Sequence, residues 1–165
     1  MTDVAEQLSR AVSLREAGSL EHARELLLHL SSVAPHDVQV AYQTAWVHDL
    51  LGLEREAIPF YVRALDDDGL NPVERRGAML GLGSTYRTLG MYAEAVGVLS
   101  AGVIEFPDDR ALAVFLAMAR YNAGDAKDAV SGLLMLLAET TADPEIQRYQ
   151  RAISLYASDL DRVWS

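Results

Sequence analysis

The sequence contains no cysteine, which excludes disulfides, thiol nucleophiles and thiolate metal ligands together and agrees with a reducing compartment. It holds no apolar run near the roughly 18 residues that a membrane-spanning helix needs. The opening Met1-Thr2-Asp3-Val4-Ala5-Glu6 lacks the basic start and apolar stretch of a signal peptide. Cations are scarce, 14 Lys and Arg against 24 Asp and Glu, and the resulting formal charge of −10 opposes attraction to phosphate backbones and anionic leaflets. The expectation is a cytoplasmic protein with neither nucleic acid nor membrane as partner. Strand-type alternation is absent as well, and no stretch has the composition of a disordered linker.

What is present is a phrase repeated four times: a glycine followed five residues later by an alanine, at Gly18 and Ala23, Gly52 and Ala57, Gly90 and Ala95, Gly124 and Ala129. The glycines are spaced 34, 38 and 34 residues apart, a period that signals stacked supersecondary units. Each glycine can take the left-handed conformation that ends one helix and lets the next begin. Thr2 or Asp3 is placed to cap the first helix, Asp37 the third, and Asn71-Pro72-Val73-Glu74 has the form of a capping box with proline at the first helical position. Pro59 falls in the second turn of a helix and predicts a late start or mild kink there. After Asp143-Pro144-Glu145, the residues Ile146, Tyr149, Ile153, Tyr156, Leu160 and Val163 recur by threes and fours, predicting one terminal helix with an apolar seam.

Aligned on its glycines, the chain resembles the tetratricopeptide repeat family over about residues 4 to 143. A small residue stands seven before each glycine, at Ala11, Ala45, Gly83 and Ala117, and a large apolar one nine after it, at Leu27, Tyr61, Leu99 and Leu133. His48 and Arg120 stand where an aromatic residue is usual. The resemblance implies an all-α, right-handed superhelical solenoid of four helix-turn-helix repeats, over about residues 4–37, 38–71, 72–109 and 110–143. A C-terminal capping helix over about 144–163 completes a single domain spanning 1–165.

The same resemblance implies that the first helix of each repeat lines a concave groove. The inward positions are then Leu8, Val12 and Arg15; Gln39, Tyr42, Trp46 and Asp49; Leu80, Ser84 and Arg87; and Val114, Met118, Tyr121 and Asn122. Tyr42, Trp46, Arg87, Val114, Met118, Tyr121 and Asn122 are the expected partner-binding residues, since aromatic side chains are common anchors of interfaces. The implied function is a non-catalytic scaffold that binds an apolar peptide or helix, with no cofactor and no metal. A groove of this character would be unusual on a free monomer. The alternative is therefore self-association, a homodimer through the groove or the last helix, or occupation of the groove by the chain's own last helix.

Other patterns carry less. Asp66-Asp67-Asp68-Gly69 lacks a calcium loop's first and last ligands, where Ala64 and Arg75 stand. His22 and His29 lie two helical turns apart, and Pro35 breaks the helix before His36. Gly81-Leu82-Gly83-Ser84 lies within a helix and not after a strand, so it fails the context of a phosphate loop.

Overall fold

Glycines with positive φ mark every helix-to-helix turn of the repeat: Gly18, Gly52, Gly90 and Gly124 stand at +78°, +72°, +77° and +96°, and no other described residue has a positive φ. The structure, a computed structural model, describes residues 4–163, so Thr2 and Asp3, expected to cap the first helix, lie outside the described residues. Among those residues the chain forms ten helices and no strand. They are α1 (Val4–Glu16), α2 (Leu20–Val33), α3 (Val38–Leu50), α4 (Glu54–Leu65), α5 (Pro72–Thr88), α6 (Tyr92–Glu105), α7 (Arg110–Asn122), α8 (Ala126–Thr140), α9 (Pro144–Arg148) and α10 (Gln150–Ala157).

The helix starts follow their caps. Asp37 Oδ1 accepts from the backbone N–H groups of Gln39 and Val40 at 2.9 and 3.0 Å. Asn71 Oδ1 accepts from Val73 and Glu74 while Glu74 Oε2 accepts from the Asn71 N–H, a complete capping box. Asp109 and Asp143 cap α7 and α9 in the same way. Pro59 produces no late start, because α4 begins at Glu54 and its first bond, Ala57 N–H to Leu53 O, forms at 3.0 Å.

Packing divides the chain into two units, residues 1–90 and 91–165, each with its own contacts. In the first, α1 to α5 pack in sequence order, with α3 touching α1, α2, α4 and α5. Its core joins Ala11, Ala23, Leu27, Leu30, Val40 and Val47, all fully buried, with Leu8, Leu14, Leu26 and Leu51 against them. The repeat's small residues Ala11, Ala23, Ala45 and Ala57 are fully buried in helices that pack in pairs, α1 on α2 and α3 on α4, and small residues let such helices approach closely.

In the second unit α7 packs on α6 and α8, and α10 packs on α8. The expected single helix over 144–163 is two shorter ones: Tyr149 leaves helical geometry at φ −103° and ψ 6°, and α10 ends at Ala157. Two glutamines flanking the break bond back toward the end of α8. Gln147 Nε2 donates to Thr141 O at 2.9 Å and Gln150 Nε2 to Ala138 O at 2.8 Å, satisfying carbonyls at the open end of α8. Beyond Ala157, Lys127 Nζ holds Asp159 at 3.1 Å and Asp161 at 2.7 Å, which keeps the chain beside the first turn of α8. The apolar seam is split accordingly: Ile146, Ile153 and Leu160 are half-buried, whereas Tyr149, Tyr156 and Val163 are exposed. Within this unit α10 covers α8 instead of filling a groove.

Candidate functional site

Helical spacing places Leu8, Val12 and Arg15 on one face of α1, and Gln39, Gln43 and Trp46 on one face of α3, each set at intervals of four and three. Because α3 packs on both α1 and α5, the two faces meet beside the start of α5. There they enclose an open cleft of about 520 Å³ lined by Val4, Ala5, Leu8, Ser9 and Val12 of α1, by Asp37, Gln39 and Gln43, and by Glu74. One wall is aliphatic apart from Ser9, and the other carries two carboxylates and two carboxamides. No lysine or arginine lines it.

The next turn along the same faces is aromatic. The Arg15 guanidinium lies 3.7 Å from the centre of the Trp46 ring, and the Trp46 and Tyr42 rings stand 5.6 Å apart at 33°. The Arg15 side chain is only 8% exposed and pairs with Glu16 at 3.5 Å. Such a cation on an indole face contributes about 0.5–2 kcal/mol. It also commits Arg15 to Trp46, which removes it from any carboxylate-gripping role. Tyr42 is buried, and burial pushes its phenol above the ordinary value; the Arg15 cation opposes this, Glu74 adds to it and Arg76 opposes it. Gly77 of α5 makes room for this ring, since a Cβ there would collide with Tyr42 Oη.

Asp49, expected to face the groove, instead joins a polar knot between α3, α4 and α5. Its carboxylate accepts from Tyr61 Oη at 2.7 Å and from Thr85 Oγ1 at 2.8 Å. Burial raises the Asp49 carboxyl above its ordinary value while the two hydroxyl donors pull it back, and Tyr61 is pushed upward by burial and by the adjacent Asp49 charge. Gly81 provides the space for the Tyr61 ring, which a Cβ at that position would strike. His48 is also buried: its Nδ1 donates to Thr44 O at 2.7 Å, its Nε2 accepts from Arg24 Nε at 3.3 Å, and its ring stacks on Phe60 at 5.3 Å. The two partners fix the orientation of the ring. This is a core histidine filling an aromatic position.

The remaining expected residues are not gathered into this cleft. Arg87 is half-buried in the last turn of α5. Val114, Met118, Tyr121 and Asn122 belong to the second unit, along α7, where Val114 and Met118 are half-buried and Tyr121 is 66% exposed. Six cleft residues were not among the expected ones: Val4, Ala5, Ser9, Asp37, Gln43 and Glu74. Asp37 and Glu74 read as caps, and Gln43 carries only a weak signal, a polar residue inside the otherwise apolar run Val40-Ala41-Tyr42 to Ala45-Trp46-Val47. Among the described residues no group of three or more His, Asp or Glu side chains could hold a metal, and no helix is long and apolar enough to cross a membrane.

Comparison with known proteins bears on the fold. A family model described as tetratrico peptide repeat matches residues 38–160. No curated protein matches the chain. Solved structures do: MamA of RS-1, a double mutant, at 19% identity and TM-score 0.73 over 96% of this chain and 88% of that one. MamA of AMB-1 aligns at 19% identity and TM-score 0.70 over 79% and 75% of the two chains. A Podosopora anserina kinesin light chain with nearly identical TPR-like repeats aligns at 19% and 0.68 over 98% and 90%.

Proposed function

Because the chain belongs to the tetratricopeptide repeat family, we propose that it is a non-catalytic scaffold for protein contact whose α1–α3–α5 face holds an apolar peptide or helix of a partner. The supporting observation is the continuity of an open, half-aliphatic cleft with the Trp46 and Tyr42 rings along one face of α3. Tyr42, Trp46 and Arg87 act in the first unit. In the second, Val114, Met118 and Tyr121 recur at helical spacing on α7 and form a separate contact strip with Asn122 beside it. The chain works as one domain in the cytoplasm, in keeping with its lack of cysteine.

Peptides selected from a random display library against the full chain provide the test. Trp46→Ala is expected to weaken their binding by at least about tenfold, as removal of an interface anchor does, with helicity by circular dichroism retained. Tyr121→Ala, at an exposed position, checks the second strip without disturbing the core. Unchanged affinity in both folded variants overturns the reading.

A second reading, a homodimer, has its own support. Val130, Leu133 and Leu137 of α8 and Leu155 and Tyr156 of α10 are exposed apolar side chains of one unit. Sedimentation of the full chain as a monomer at all concentrations rules this out. Dimers that dissociate on Leu133→Glu establish it.

A further inference from the structure

Nine residues after their turn glycines, the second helices α2, α4 and α6 carry Leu27, Tyr61 and Leu99, all buried, whereas Leu133 of α8 is 41% exposed. Val130 and Leu137, a turn to either side on the same face, are exposed as well. The chain beyond does not cover them, because α10 lies on another face of α8. Ser131 Oγ donates to Ala157 O at 2.5 Å, and Ala138, whose carbonyl accepts from Gln150, is buried. In the other three repeats these two positions are exposed, at Glu25 and Ser32, Pro59 and Asp66, and Gly97 and Ile104. Tyr121 of α7 is uncovered too. It stands three residues before its turn glycine, as do Arg15 and Asp49, and both of those meet the first helix of the next repeat, Arg15 on Trp46 and Asp49 on Thr85.

What covers this face is shown three times within the chain. The helices that pack on α2, α4 and α6 are α3, α5 and α7, and each buries three residues at i, i+4 and i+7: Val40, Thr44 and Val47; Ala78, Leu82 and Thr85; Leu112, Leu116 and Ala119. All are aliphatic or carry a small hydroxyl. α1 has Glu6, Arg10 and Ser13 at the same positions, all exposed. Seating α1 of a second copy on Leu133 would therefore press two charges against an apolar face and strip them of water.

We infer that this face of α8 is a docking site for one amphipathic helix of a different protein, laid on Val130, Leu133 and Leu137 and beside Tyr121 as the first helix of a further repeat would be. The partner helix presents uncharged aliphatic or small residues at i, i+4 and i+7. Residues 129–138 of α8, which receive it, likewise contain no charge. Binding of this kind is set by apolar anchors at helical spacing. The site lies outside the α1–α3–α5 cleft, shares with the scaffold reading only the premise of a protein partner, and gives the exposed face of the second unit an occupant other than a second copy.

The probe is a synthetic peptide of residues 108–122, which carries Leu112, Leu116 and Ala119 on one face. It is titrated into the full chain while the methyl signals of Val130, Leu133 and Leu137 are followed by NMR. Saturable shifts with a Kd of about 1 mM or below are expected, weak because so short a helix forms only on binding. Leu133→Gln in the full chain, with helicity by circular dichroism retained, is expected to weaken binding at least about tenfold, and so is Leu116→Glu in the peptide. Trp46→Ala should leave it unchanged. Absence of saturable shifts, affinity unaltered by Leu133→Gln, equal binding of the Leu116→Glu peptide, or a loss with Trp46→Ala as large as with Leu133→Gln overturns the docking site. So does sedimentation of the full chain as a dimer that Leu133→Gln dissociates, because a second copy then covers the face. Failure here is separable from failure of the cleft: helix binding at Leu133 together with library peptides indifferent to Trp46→Ala removes the cleft reading alone. The reverse pattern removes the α8 site alone.

Discussion

Helices α3 and α8 are both strongly apolar, yet they are used in opposite ways. Of the 13 residues of α3, eight are buried, three of them polar: Gln43, Thr44 and His48. Of the 15 in α8, only Ala129 and Ala138 are buried, and Val130, Leu133, Met135 and Leu137 face outward. The difference is one of neighbours. α3 is flanked within its unit by α1, α2, α4 and α5, whereas α8 has α7 and the eight-residue α10. An enclosed helix must supply partners for its polar groups, and a sparsely covered one keeps apolar surface that other molecules can use.

The largest expected effect compares equivalent repeat positions. Leu27 and Leu133 each stand nine residues after a turn glycine, but the first is fully buried and the second 41% exposed. Leu27→Ala should cost about 3 kcal/mol of unfolding free energy by urea denaturation and Leu133→Ala less than about 1 kcal/mol. Equal losses would erase the contrast.

Glycines sharpen it next. Gly81→Ala must displace the buried Tyr61 ring and should cost about 1–3 kcal/mol, whereas Gly132→Ala in α8 meets nothing within 4 Å and should stabilise by about 0.5–1 kcal/mol. Thermal midpoints of the two variants should move in opposite directions.

The smallest effect concerns pH. Burial raises the Asp49 carboxyl above its value of 3.8 in an exposed chain, so the folded state takes up this proton at higher pH than the unfolded state does. The stability that this group contributes is therefore fully present below 3.8 and is lost as pH rises through the raised folded value. The urea midpoint of the native chain relative to Asp49→Asn should shift in favour of the native chain on acidification through that window. A difference independent of pH would show that Asp49 does not titrate as a buried group.

Repeat architecture was legible because it rests on local chemistry. A glycine that must reach positive φ, an asparagine or aspartate at a helix start, and alanines that let axes close are visible one residue at a time. The terminal helix differs from its expected form: Gln150 bonds a carbonyl of α8 and Gln147 that of Thr141 just after it, contacts that periodicity does not report. The site was legible in part for the same reason. Leu8, Val12, Gln39 and Trp46 follow from the facing positions of a repeat. Asp37 and Glu74 were already explained as caps, and Gln43 gained meaning only when the cleft beside it had a shape.

The arrangement around His48 has a consequence for how such a sequence can drift. Arg24, Thr44 and His48 form a chain of dependence with a direction. Replacing His48 by phenylalanine keeps the stack on Phe60 and frees Arg24, whose side chain is 32% exposed and can turn to water. Replacing Arg24 first strands a buried imidazole nitrogen with no donor. The order of substitution therefore matters: a lineage leaves this state through position 48 and then position 24, and the reverse order passes through a less stable intermediate.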